Sequence, residues 1–165
     1  MKDFGLIRVK NVGIGSVAVD KLGCMSLQRP LHMMLIDNNA LDAQLVMSTL
    51  ETVFPAPEFT VFHDSAQALS HLQSGPEPLP DLLLMGLHLS PLTGLEVLAE
   101  VKGHGMLRLL PVLILSSSVS PDELRACYAA HVTAVLDRPS SWITLERQML
   151  SLWTFWTQWV RLPEA

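Results

Sequence analysis

A chain of 165 residues, 49% hydrophobic and 16% charged, carries enough apolar material for one core and too little charge for a disordered segment. Eleven basic against sixteen acidic residues leave a net charge of −5, which speaks against nucleic acid or an anionic membrane surface as a main partner. The imbalance is uneven: residues 1–30 carry +3 and the remainder −8.

The N-terminus, MKDFGLIRVK, has no continuous apolar run of the kind a secretory leader needs. Residues 1–29 show only short, interrupted alternations (Ile7/Val9, Val12/Ile14, Val17/Val19) and are expected to form a mobile or loosely docked basic extension. A true start at Met25 is an equally open reading. Within this stretch VGIGSVA holds Gly13, Gly15 and Ala18, a partial dinucleotide fingerprint, but no clear strand precedes it and poor helix formers follow. Cys24 and Cys127 are the only cysteines and make neither a disulfide framework nor a zinc site. A reduced, cytoplasmic compartment is the expectation.

From residue 31 short apolar runs alternate with helical patterns. Residues 31–36 (LHMMLI) stop at Asp37, Asn38 and Asn39, and Ala43, Val46, Met47, Leu50 and Val53 then recur at helical spacing up to Pro55. Residues 59–62 (FTVF) form a second strand-like run. Asp64 or Ser65 can cap a helix carrying Leu69 and Leu72, which Gly75 and Pro76 end. Pro80 opens a third run, DLLLM, closed by Gly86; Thr93 and Glu96 then spell a capping box before Leu95, Leu98 and Val101. Residues 112–115 are the fourth run, ending in Ser116, Ser117 and Ser118. Ser120, Pro121 and Glu123 supply a cap, a first-turn proline and the N3 acid of the next helix. Residues 132–136 are the fifth run, followed by Asp137, Arg138 and Pro139. The last helix starts near Trp142, with Leu145, Met149, Leu152, Trp156 and Trp159 on one stripe. The most apolar stretch, residues 82–95, is interrupted by His88, Ser90 and Pro91 and falls short of the roughly 18 residues a membrane-spanning helix requires.

Five strand–helix units in succession predict an α/β fold, a doubly wound parallel sheet with helices on both faces. Continuous rather than alternating apolar strands fit a sheet buried on both sides. In such folds the working crevice lies beyond the carboxyl ends of the strands, which directs attention to Asp37, Asn38, Gly86, Ser116 and Arg138.

Those strand ends resemble response-regulator receiver domains, in particular the single-domain receivers that partner bacterial phytochrome histidine kinases. The resemblance runs from about Leu31 to Pro163. It rests on LIDNNALDAQL, PDLLLMGLHLSPLTGLEVLAEVK, PVLILSSS, AVLDRPSSW and the tail FWTQWVRLP, five segments in order. It implies a five-stranded, flavodoxin-like sheet of order 2-1-3-4-5. It also implies a receiver over residues 30–150, a C-terminal helix extension over 151–165, and a role in two-component phosphorelay signalling without enzymatic activity of its own.

The family's chemistry uses two acids that hold Mg²⁺, an acceptor aspartate six residues after the proline of the PDL run, a Ser or Thr, and a Lys. Here Pro80 plus six is Gly86, which has no side chain to phosphorylate. Asp37 takes the place of the first acid, Asn38 stands where the second is expected, Ser116 keeps the hydroxyl, and Arg138 replaces the lysine with a planar fork. Asp42, four residues after Asn38, matches the family's turn and favours this register; in the other register Asp37 is the second acid and Ile36 replaces the first. Either way one acid is lost. The expectation is a degenerate phosphorylation pocket, with weak or absent Mg²⁺ binding, no cofactor, and Asp37 either capping the following helix or pairing with Arg138.

The remaining motifs argue little against this reading. No GxxxxGK[ST] loop is present. The six histidines are scattered, and Ser116 to Ser118 lack a nucleophile-elbow context. Trp153, Trp156 and Trp159 on the last helix exceed one face's share of a small core and suggest an interface. In the resembling subgroup this helix takes part in a homodimer. The partners expected are therefore a sensor histidine kinase or another signalling protein, and a second copy of the chain, with no nucleic acid and no membrane. Two further readings stay open: a conventional receiver phosphorylated on another carboxylate, Asp37 among them, and a small-anion binder using Ser116 and Arg138.

Overall fold

The computed structural model describes residues 7–9, 31–53 and 58–162. Its strands are β1 (Ile7–Val9), β2 (His32–Ile36), β3 (Glu58–Phe62), β4 (Leu82–Met85), β5 (Val112–Ser116) and β6 (Ala134–Asp137). Its helices are α1 (Ala40–Val53), α2 (Ser65–Gln73), α3 (Gly94–Gly103), α4 (Pro121–Ala129) and α5 (Trp142–Thr154). The sheet order is β1-β3-β2-β4-β5-β6. Counted from β2, the five parallel strands stand in the expected order 2-1-3-4-5.

β1 is the addition. It pairs antiparallel with β3, Ile7 opposite Val61 and Val9 opposite Phe59. Part of the stretch expected as a loosely docked extension thus completes one sheet edge. Three residues are too short a run to stand out by alternation, and their pairing is non-local. The fingerprint around Gly13, the start at Met25, and Cys24 lie outside the described residues.

Period-2 geometry sends successive side chains of each parallel strand to opposite faces. Met34, Ile36, Leu83, Met85, Val112 and Ile114 face a core shared with Ala68 and Leu72 of α2, Leu98 and Val101 of α3, and Cys127 of α4. Met33, Leu35, Leu82, Leu84, Leu113 and Leu115 face a second core with Val46 and Leu50 of α1 and with Leu145 and Met149 of α5. Both faces are buried, which is why the strands read as unbroken apolar runs. Asp81 fastens the near end of the sheet: its Oδ2 accepts the His32 N–H at 2.9 Å, and its own N–H donates to the His32 carbonyl at 2.8 Å.

Both expected capping boxes form, Thr93 with Glu96 and Ser120 with Glu123. The boundary expected between residues 150 and 151 falls inside α5, which runs on without a break into a π-helical turn over Phe155–Trp159.

Candidate functional site

Parallel strands place their carboxyl ends on one side of the sheet. Asp37 follows β2, Gly86 follows β4, Ser116 ends β5, and Arg138 follows β6. A cleft of about 530 Å³ opens there, lined by Asp37, Asn38, Gly86, His88, Ser116 and Arg138 among others. Backbone hydrogen bonds fix its floor: Asp37 N–H to the Phe62 carbonyl at 3.0 Å, Gly86 N–H to the Ile36 carbonyl at 3.0 Å, and Arg138 N–H to the Ser116 carbonyl at 2.8 Å.

Asp37 is only 6% exposed and both its carboxylate oxygens are engaged. Oδ1 accepts the Asn39 N–H at 3.0 Å, a local turn contact. Oδ2 accepts from Nη2 of Arg138. The other arm of that guanidinium, Nη1, reaches Asp42 Oδ2 at 2.7 Å. Arg138 therefore bridges two carboxylates, and its Nε is buried as well. Of the two roles expected for Asp37, the ion pair is the one that forms. The cap of α1 is Asn39, whose Oδ1 accepts the Leu41 N–H at 3.0 Å. Asn38 is exposed at the cleft mouth.

At Gly86 the backbone does not occupy the left-handed region, so an L residue would be conformationally acceptable. A Cβ built there would meet Leu89 Cδ2 at 3.0 Å. Leu87 and Leu89 turn inward from the loop after β4 and join the core, so the atoms nearest that Cβ are hydrocarbon. The same loop seats α3: Gly94 N–H donates to the Leu87 carbonyl at 2.7 Å. A Cβ at Gly94 would fall 2.3 Å from the Gly86 carbonyl oxygen.

Ser116 is buried, and its hydroxyl donates to the Ser118 carbonyl at 2.9 Å, inside its own loop. His88 is exposed at the rim, Nε2 3.3 Å from the Ser118 carbonyl and Nδ1 3.8 Å from Glu123 Oε1. Hydrogen bonds from the Ser120 N–H and hydroxyl hold the Glu123 carboxyl below its ordinary range, with a smaller push from His88. Among the described residues no group of three or more His, Cys, Asp or Glu converges as a metal site would require.

Sequence reasoning found Asp37, Gly86, Ser116 and Arg138 but used Asp42 only to fix a register. The one available signal was an acid in the first turn of the helix after β2. It also missed His63, whose Nδ1 lies 2.8 Å from the Asp37 carbonyl.

The three tryptophans separate. Trp153 and Trp156 are 8% and 5% exposed and belong to the core beneath α1 and α5. They are not surface anchors, which corrects their reading as interface residues. Trp159 is 69% exposed, and Phe155, four residues earlier, is 53% exposed. The π turn explains the difference. It takes more residues per turn than an α-helix, so three residues beyond Trp156 no longer return to the buried stripe, and Val160 packs there instead.

No protein-family model matches the chain. Among curated proteins it is 30% identical over 151 residues to the probable methanogenesis regulatory protein FilR2 of Methanothrix harundinacea, covering 90% of this chain and 97% of that protein. It is 31% identical over 140 residues to response regulator Rcp1 of Synechocystis sp., covering 82% and 95%. Among solved structures, the Mn²⁺-bound form of Rcp1 matches with a TM-score of 0.74 over 82% of this chain and 100% of that one. The phosphorylated cyanobacterial phytochrome response regulator RcpA matches with a TM-score of 0.77 at 27% identity, over 82% and 100%.

Proposed function

The chain belongs to the response-regulator receiver family of two-component signalling, and within that family we propose that it is a pseudo-receiver, acting by protein–protein interaction without being phosphorylated. The observation that carries this reading is Gly86: the end of the third parallel strand, where the receiver pattern needs an acceptor carboxylate, has no side chain, and Leu89 lies against that space.

The neighbouring groups support it. A solved form of Rcp1 holds Mn²⁺, but the residues of this chain do not fit a divalent ion. Two carboxylates, Asp37 and Asp42, already share one guanidinium. A divalent ion could use these carboxylates only by displacing the guanidinium from them or by sitting beside its positive charge. The other readings fare worse. For Asp37 to attack a phosphoryl group, one of its two carboxylate oxygens would have to give up its present partner, the Asn39 N–H on Oδ1 or Arg138 on Oδ2, and a small anion at Arg138 would have to compete with two resident carboxylates.

The partner is a sensor histidine kinase or another signalling protein, recognised through constant shape, in the cytoplasm. No described helix is long and apolar enough to cross a membrane. A homodimer built on the end of α5 is part of the proposal, supported by exposed Phe155 and Trp159.

The test is intact-mass spectrometry after incubation with acetyl phosphate and MgCl₂, beside a receiver that retains its aspartate. The control gains a phosphoryl group and this chain does not. A phosphoryl adduct on this chain would overturn the proposal.

A further inference from the structure

We propose that Arg138 is the resident cation of this site, a built-in replacement for a divalent ion that fastens the start of α1 to the end of β6. The proposal rests on the pseudo-receiver reading and adds what holds the site in one state.

Three elements meet at the guanidinium. Asp37 comes from the end of β2, Asp42 from the first turn of α1, and Arg138 from the residue after β6. Nη2 serves Asp37 and Nη1 serves Asp42. A planar fork can address two acids on separate elements at once, which the single point charge of a lysine does less well. Burial strengthens the contact: the Arg138 and Asp37 side chains are 16% and 9% exposed, so water screens them weakly. Asp42 lies in the first turn of α1, so the guanidinium holds the start of that helix directly. A metal ion can dissociate, and a phosphoryl group can be hydrolysed. A covalently attached cation does neither, so α1 and β6 stay tied, and the surface a partner meets stays constant.

The experiment follows thermal unfolding and amide hydrogen exchange of the first turn of α1, with MnCl₂ and with NaCl of equal ionic strength. Wild type is expected to melt at the same temperature in both. Arg138→Met, which keeps the stem and removes the charge, is expected to melt lower and to exchange faster at the start of α1. MnCl₂ alone should recover both in part, since the Asp37 and Asp42 oxygens that Arg138 held are then open to the ion. Asp42→Asn keeps the buried pair and is expected to exchange faster at the same amides with no response to MnCl₂. A wild-type melting point raised by MnCl₂ over NaCl overturns the proposal, as does an Arg138→Met variant that MnCl₂ does not recover. Should Arg138→Met fail to fold, Asp42→Asn decides: unchanged exchange at the start of α1 overturns it. The two proposals fail separately. A phosphoryl adduct defeats the pseudo-receiver reading, and manganese stabilisation of wild type defeats this one even when no adduct forms.

Discussion

Two glycines eight residues apart play opposite roles. Gly86 is chemically silent but sterically replaceable, because only the flexible end of Leu89 stands near its missing Cβ. Gly94 is obligatory, because its Cβ would overlap the Gly86 carbonyl, and backbone cannot step aside as a leucine tip can. Gly86→Ala is therefore expected to cost no more than about 1 kcal/mol, and Gly94→Ala about 2–3 kcal/mol, the range of overpacked sites. Urea denaturation of both variants measures the difference, and equal losses would contradict this picture. The first glycine was legible in the sequence, by counting from Pro80. The second was not, since its neighbour exists only once α3 is seated on the loop after β4. The same limit hid Asp42: an acid near a helix start reads as a dipole partner, and nothing local reveals that Arg138 will arrive beside it.

At the scale of elements, helix starts were the most legible features, because a capping box is written within four residues. Thr93 and Ser120 each donate to a glutamate three positions on, and these hydrogen bonds hold the Glu96 and Glu123 carboxyls below their ordinary pKa. A carboxyl whose folded pKa is depressed contributes fully above its unfolded value, and the contribution fades as pH falls through the lowered one. Between about pH 6 and pH 3 wild type should therefore lose more stability than a Glu96→Gln, Glu123→Gln double variant; parallel pH profiles would contradict this. Helix ends were less legible. His131 closes α4 at φ 63°, with its N–H on the Tyr128 carbonyl and that of Val132 on the Cys127 carbonyl, a site where glycine is usual. His131→Gly should stabilise the protein by about 1 kcal/mol in thermal or urea unfolding, since the left-handed conformation strains a residue with a Cβ. The π turn after α5 was illegible for a related reason. A wide turn interrupts the 3.6-residue repeat on which the stripe rests, so Trp159, expected inward, faces solvent, while Leu152 packs against the core as expected and Trp153 joins it.

For the molecule as a whole, the parallel sheet and its order followed from alternating apolar runs and helices, because burial on both faces leaves a strong signal. The antiparallel edge strand left almost none. Two cores flanking one sheet also divide the tryptophans into tests of different kinds. Trp156→Ala should cost about 3–5 kcal/mol of stability, as large core truncations do. Trp159→Ala should leave the fold intact and lower the mass seen by light scattering from dimer towards monomer; a monomer in both wild type and variant would remove the dimer from this account. The central claim is that this receiver fold presents a fixed surface and takes no phosphate. Its most direct test is transfer from a phytochrome-type histidine kinase preloaded with radiolabelled phosphate and mixed with this chain and MgCl₂. The label should remain on the kinase, and its appearance on this chain would contradict the claim.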